Sequence, residues 1–400
     1  MTRRASGTVG VTALVSVDHL VSHVFLLALP PLFPLMAGSF GVSEARLAVS
    51  VTLIFLAQFL CQVPAGELVD RVGGKRVVVA GLVLTSVSIG LAGFATAYWQ
   101  VLACAFVSGV GQSPFHPANY ALLDAAGDAA SEGRQFSLHS FGGFVGFAAA
   151  PALTTGVASL ADWRAALFVV GVIGVAYAGV LLVSLAPVHR RRLREVTTEA
   201  EADASSGSYL GSLRLLRRPL VAGMFAFFLL VTLADTGLQT YTTAFAVNAL
   251  DYSTVVGNTA LTGFLSVTAV FVLVGGWLAD RRDSFAIIVG GLVWSALVLW
   301  AALALGLGST GFVVAWAVAG AGFGVSLPAR DRITNALSDA ADTGKSFGLV
   351  YTGLPIGGAL APVLLGAVAT RWTYVEAFVA VAGFFFVSAV VVFALRRVRP

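Results

Sequence analysis

Charge is scarce in this chain. Asp, Glu, Lys and Arg make up 11% of its 400 residues, against about 25% in an ordinary soluble domain. No stretch is both long and polar enough to build a large water-soluble domain. Disorder is excluded too, because a disordered chain is poor in apolar residues and rich in charge. The two cysteines, Cys61 and Cys104, sit inside apolar runs, so no disulfide framework organises the fold. The five histidines, His19, His23, His116, His139 and His189, are too few to supply the His and carboxylate clusters of a membrane di-iron enzyme. Neither a P-loop nor a Gly-x-Ser-x-Gly elbow occurs. The chain does not read as an enzyme, and no catalytic residue, metal or cofactor is expected.

What is present is apolar surface. Hydrophobic residues account for 58% of the chain, with 44 glycines among the rest, and the mean hydropathy is +0.90. A helix crossing a hydrocarbon core of ~30 Å needs about 20 apolar residues. Continuous runs such as Val77–Ala95 and Phe285–Leu305 suit such helices, not the alternating ~10-residue segments of a β-barrel. Runs and breaks predict twelve spans: Val9–Leu35, Ala45–Val69, Val77–Thr96, Trp99–Leu123, Gln135–Ser159, Ala165–Ala186, Pro219–Val247, Thr254–Ala279, Phe285–Leu305, Gly311–Leu337, Ser346–Ala369 and Tyr374–Leu395. The first is too long for a cleaved signal peptide and carries Asp18, His19 and His23. The fold class expected is an all-α membrane protein, with twelve transmembrane helices in two pseudo-symmetric six-helix bundles. Residues 1–187 form one bundle and residues 219–400 the other. The basic and then acidic, Ser/Thr-rich segment 188–218 reads as a cytoplasmic linker between them.

The basic residues set the orientation. With both termini cytoplasmic, only Arg46, Arg164 and Arg371 of the 24 Lys and Arg fall outside, a strong positive-inside bias. The net charge of +4 is thereby explained by an anionic leaflet, and no nucleic-acid partner is implied. Arginine dominates over lysine, which suggests a GC-rich prokaryotic source and hence its plasma membrane. A monomer is expected.

The halves repeat. A shift of 211 residues lays Gly109, Gly111, Pro117 and Ala118 on Gly320, Gly322, Pro328 and Ala329. It also lays Asp128-Ala129-Ala130 on Asp339-Ala340-Ala341, and Gly142, Gly146 and Pro151 on Gly353, Gly357 and Pro362. A duplicated six-helix unit is the architecture of many secondary transporters.

Two loops then carry a signature. Gly66-Glu67-Leu68-Val69-Asp70-Arg71-Val72-Gly73-Gly74-Lys75-Arg76 resembles the G-x3-D-R-x-G-R-R/K motif of the major facilitator superfamily, with Gly74 where a basic residue is usual. Gly276-Trp277-Leu278-Ala279-Asp280-Arg281-Arg282 resembles its weaker copy in the other half. The resemblance implies a gating role for Gly66, Asp70, Arg71, Gly73, Lys75, Arg76, Asp280 and Arg281. The alternative is that the basic residues only anchor the loops. Gly109-Val110-Gly111-Gln112-Ser113-Pro114-Phe115-His116-Pro117 resembles the G-x-G-x3-F-H-P pattern of the fosmidomycin-resistance-like branch, and Pro30-x3-Pro34 fits it as well. That branch usually has an acidic residue after Phe-His-Pro, where this chain has Ala118-Asn119. The implied activity is export of a small molecule. The fifth span, with Gly142, Gly143, Gly146, Pro151 and Gly156, resembles the kink motif of drug–proton antiporters, with Ala150 where a glycine precedes the proline.

Ionisable groups inside the spans point the same way. At mid-membrane on a lipid-facing helix a charge costs about 2.5–3.5 kcal/mol, so such groups face a bundle interior or a wet cavity. Asp18 lies roughly 14 Å into its span, and His19 and His23 share a helix face. Asp235 aligns with His23 or Val24 of the other half. Asp18 or Asp235 is read as a proton site, and His19 or His23 as a substrate contact or relay. The competing reading is of polar pairs that brace helices. His116, Asn119 and Gln239 join the candidate cavity, while His139 reads as structural. Arg330, which takes the place of Asn119 in the repeat, reads as a gate, an anchor or a contact for an anionic substrate. Pro117, Pro151, Pro328 and Pro362 are candidate kinks. The leading expectation is a proton-coupled exporter of a small organic compound working by alternating access. Uptake of a small organic acid with protons, or a non-transporting sensor, are the alternatives.

Overall fold

The apolar runs fold as helices, and side chains supplied by the breaks cap them. A computed structural model describes residues 2–126, 132–185, 213–336 and 349–398, and 91% of the described residues are helical. The chain is an all-α membrane protein. Among the described residues eleven helical segments are long and apolar enough to cross a membrane. The first half contributes α1 (Thr2–Leu26), α2 (Phe33–Phe40), α3 (Glu44–Val72), α4 (Gly74–Ala92), α5 (Tyr98–Gln112), α6 (Phe115–Ala126), α7 (Glu132–Leu160) and α8 (Trp163–Ser184). The second contributes α9 (Pro219–Leu250), α10 (Thr254–Ala279), α11 (Ser284–Leu305), α12 (Ser309–Ala336), α13 (Gly353–Arg371) and α14 (Tyr374–Leu395). The Asp162 carboxylate accepts from Ala165 N at 2.8 Å, and the Ser253 and Thr373 hydroxyls accept from Val256 N at 3.3 Å and Val375 N at 3.1 Å. These caps satisfy donors at helix starts that have no partner within the helix, which is why α10 and α14 begin where the sequence reading placed them.

Two predicted spans are broken. The first stops at Leu26, turns through the short 3-10 segment Pro30–Leu32 and resumes as α2. Pro30 and Pro31 cannot donate to the helical ladder. The fourth, read as one run from Trp99 to Leu123, is two helices with the break at Ser113–Pro114. There the Ser113 hydroxyl donates to the Val110 carbonyl at 2.7 Å. Pro117, in the first turn of α6, loses only an N–H that had no helical partner. The repeat explains why α12 runs unbroken through Pro328: the residue equivalent to Pro114 is Val325.

The chain packs as two compact units, Met1–Leu32 with Leu53–Gly207, and Phe33–Thr52 with Ser208–Pro400. Within them the duplication is plain. α1 packs on α7 as α9 packs on α13; α4 packs on α8 and α5 as α11 packs on α14 and α12. Glycines at matching positions permit these approaches. A Cβ on Gly109 would strike the Ile54 carbonyl oxygen, and one on Gly320 would strike that of Phe264. Gly146 sits as tightly against the Leu20 carbonyl, and a Cβ on Gly357 would lie 2.7 Å from the Leu229 oxygen. Most of the segment expected as a linker, along with the Asp128–Ala130 and Asp339–Ala341 copies, lies outside the described residues.

Candidate functional site

Each unit holds a cluster of polar side chains deep among its apolar helices. In the first unit Asp18 of α1 is 1% exposed. Asn119 Nδ2 of α6 donates to its Oδ2 at 2.9 Å, while Asp18 Oδ1 and Asn119 Oδ1 are buried without hydrogen-bond partners. Around His19, the next residue of α1, three more of the five histidines gather. The His139 ring of α7 stacks on His19 with centroids 3.9 Å apart, and His23 and His116 approach His19 at 4.2 and 5.6 Å. His19 Nδ1 donates to the His139 carbonyl at 2.7 Å, since that oxygen can only accept. Its Nε2 and His116 Nδ1 are buried without a hydrogen-bond partner among the described residues, while the His23 and His139 rings lie against the backbone of Gly143 and Val15. Gln112 Nε2 donates to the Ser22 carbonyl at 2.9 Å, tying α5 to α1 just below.

The glycine run of α7 makes the gathering possible. A Cβ on Gly143 would lie 2.7 Å from His19 Cε1 and 2.8 Å from His23 Cε1, and one on Gly142 would strike the Ser16 carbonyl. The helix face that the sequence offered as a kink motif is thus also the floor under two imidazoles. His139, read from sequence as structural, belongs to the cluster. The signal was its spacing: three and four residues before Gly142 and Gly143, it shares their face of the helix. The four rings meet face to face or edge to face. Among the described residues no group of three or more His, Cys, Asp and Glu is arranged to hold a metal ion.

The second unit holds a different set. Asp235 of α9 keeps a buried Oδ1 without a partner, and Gln239 follows one turn along the same face. Within electrostatic reach of Asp235 is Arg330 of α12. Its Nε donates to Asp331 Oδ1 at 2.8 Å, and its guanidinium carbon lies 5.0 Å from the centre of the Phe228 ring. Tyr351 packs on Phe228 with centroids 4.9 Å apart. Phe228 and Tyr351 bound this site, and charge patterning alone had not singled out Phe228.

The signature loops are built by local rules. Gly73 has φ +92° and opens α4, a conformation that favours glycine. The departure at Gly74 has a packing reason, because a Cβ there would lie 3.0 Å from the Ala118 carbonyl oxygen. Gly66 is less constrained, its nearest neighbour being Pro117 Cβ at 4.0 Å. Arg71 reaches Glu67 of its own helix at 3.5 Å, Arg76 is exposed, and Lys75 donates to the Leu185 carbonyl at the end of α8. In the second loop Arg332 lies 3.5 Å from Asp280 and donates to the Ala279 carbonyl. Arg281 folds back onto Trp277, its Nη1 donating to that residue's carbonyl at 3.0 Å. Pro151, Pro328 and Pro362 lie inside helices, and the Pro362 carbonyl accepts from the Tyr241 hydroxyl at 2.5 Å.

Comparison with known proteins bears on the family and the fold. The family model of the Major Facilitator Superfamily matches residues 19–266 and 254–400. The chain is 24% identical to an uncharacterized MFS-type transporter, YfnC, of Bacillus subtilis strain 168, over 88% of its own length and 85% of that protein. It is 22% identical to a probable L-galactonate transporter of Escherichia coli strain K12, over 42% of its own length, and 24% identical to a D-galactonate transporter of Escherichia coli O6:H1, over 41%. The matched region spans only 36% and 37% of those two proteins. Among solved structures, a bacterial homolog of the human lysosomal transporter Spinster, inward-facing and unoccupied, superposes with a TM-score of 0.79 at 14% identity, covering 99% of this chain and 98% of that one. The nucleoside transporter NupG superposes at 0.77 and 13% identity, covering 96% and 99%.

Proposed function

The chain belongs to the Major Facilitator Superfamily, and from that premise we propose that it is a proton-coupled secondary transporter of a small organic compound, working by alternating access. One observation carries the proposal: each unit buries a carboxylate, Asp18 or Asp235, on the first long helix of its half, with one oxygen lacking a partner. Burial favours the protonated form of a carboxylate, and only in the second unit does a cation, Arg330, stand within reach to oppose proton uptake. In a transporter whose access alternates, that proton is released on the other side. The imidazoles around His19 supply further donors and acceptors for substrate or for a relay. The boundary between two six-helix bundles at residues 188–218, a single copy as the working unit, and a prokaryotic plasma membrane with both termini inside belong to the same reading. So does the fosmidomycin-resistance-like branch, which rests on the Phe115-His116-Pro117 run.

Export is the first reading of direction, supported by the glycine and proline pattern of α7. Uptake of a small organic acid is the second, favoured by a cation in the second cluster and by the two galactonate transporters among the relatives. Purified protein in liposomes carrying a pH dye, challenged with a panel that includes both galactonates, tests the proposal. Substrate-dependent proton movement is expected, and its sign separates export from uptake. A compound that crosses without moving protons would refute the coupling, and one that binds but never crosses would favour a sensor.

A further inference from the structure

The guanidinium of Arg330 is oversupplied with donors. It carries five N–H groups, yet Nε alone has a hydrogen-bond partner, and neither Nη has one among the described residues. Its side chain is 16% exposed, against 46% for Asp331 beside it. The two aromatic rings at this site fix the position of the group. Phe228 lies under the guanidinium at 5.0 Å, and the Tyr351 hydroxyl donates to Asp331 Oδ1 at 3.5 Å. Gly353 lets this corner close, since a Cβ there would lie 3.0 Å from the Phe225 oxygen, the Leu229 nitrogen and Phe228 Cβ. A planar cation backed by a fully buried ring, with both Nη groups lacking a hydrogen-bond partner among the described residues, matches a carboxylate bound through two parallel hydrogen bonds.

We propose that Arg330 is the recognition residue for the carboxylate of a small organic monoanion, with the buried Phe228 backing the guanidinium and the half-buried Tyr351 beside the approach to it. This deepens the transport reading above and rests on it. The groups within electrostatic reach of the guanidinium are Asp331, Tyr351 and Asp235. Two carboxylates around one guanidinium disfavour a dianion such as a phosphate monoester. They also make Asp235 a rival of the substrate: charged, it competes for Arg330, and protonated, it releases the cation. Substrate binding and protonation of Asp235 therefore strengthen each other, as linkage requires.

The test reads binding without any proton gradient. Full-length protein in detergent is titrated with gluconate and sorbitol, with benzoate and benzyl alcohol, and with phenyl phosphate. At least one carboxylate is expected to bind more tightly than its alcohol and than the phosphate, with affinity rising as pH falls. Arg330→Gln should weaken that carboxylate about 100-fold and Arg330→Lys about tenfold, the range for charge-assisted hydrogen bonds. Asp235→Asn should tighten binding and flatten its pH dependence. A panel in which no acid outbinds its alcohol overturns the proposal, as does wild-type affinity in Arg330→Lys. Carboxylate selectivity without proton movement in liposomes would count against the coupling alone.

Discussion

The two polar clusters stand on equivalent helices and hold opposite chemistry. In the first unit Asp18 accepts from the Asn119 amide, and the imidazoles gathered around His19, the next residue of α1, add no permanent charge. In the second, the position equivalent to Asn119 is Arg330, so a permanent cation stands in reach of Asp235. Gly142 and Gly146 match Gly353 and Gly357 across the repeat, each meeting a carbonyl of the first long helix of its half, whereas Gly143, which meets His19 and His23, is replaced by Leu354. Duplication therefore kept the scaffold and let the polar contents diverge. Under the proposed transport cycle both carboxylates take up protons, and the charged half alone adds a cation suited to an anion.

The sharpest test of this contrast is to neutralise each carboxylate. Asp18→Asn and Asp235→Asn are each expected to abolish substrate-driven proton movement in liposomes while leaving the protein folded, as a near-isosteric change at one buried atom should. Full flux in both variants would end the proton assignment. Loss in one alone would assign coupling to that half and make the other carboxylate a brace between helices.

The shared scaffold is tested by its glycines. Gly146→Ala drives a methyl into the Leu20 carbonyl, and Gly357→Ala places one 2.7 Å from that of Leu229. Both should lower stability by about 1–3 kcal/mol, the cost of overpacking, with Gly146→Ala the worse. Gly156→Ala, which meets nothing within 4 Å, should be neutral or gain up to ~1 kcal/mol from helix propensity. Thermal unfolding in detergent reads all three. Equal losses would mean that the α7–α1 contact does not depend on close backbone approach.

Much of this was legible in the sequence. Continuous apolar runs and the breaks between them placed α10 and α14, and the repeat pointed to a duplicated unit, which the matched packings of α1 on α7 and α9 on α13 display. Asp18 and Asp235 stood out because charge is costly in lipid. The break at Pro114 was not legible, since an apolar run read by composition continues through a proline that the fold uses as a joint. Nor was the place of His139 among the imidazoles, or of Phe228 under Arg330. Both depend on which faces of two distant helices meet, and a single helix's pattern does not carry that.

A smaller effect probes how the first cluster is held. Asn119→Ala removes the one hydrogen bond to the Asp18 carboxylate among the described residues and leaves neither oxygen paired by them. The expected loss is about 1–3 kcal/mol, the penalty for an unsatisfied buried polar group, seen as a lower unfolding midpoint. A value near zero would mean that water already serves Asp18, and that the first cluster is wetter than its packing suggests.

The smallest effects separate the signature loops. Arg71 is largely exposed and reaches only Glu67 of its own helix, so Arg71→Ala should change stability by less than ~0.5 kcal/mol, as exposed pairs do. Lys75 and Arg332 each reach a carbonyl at the end of another helix, where a cation also meets the negative end of the helix dipole. Lys75→Ala and Arg332→Ala should therefore cost more, about 0.5–1 kcal/mol each, at low salt. That ranking makes Lys75, not Arg71, the first unit's counterpart of Arg332, although the motif spacing pairs Arg71 with Arg281. If Arg71→Ala proved the costliest of the three, the motif's spacing would describe these ties better than the contacts do.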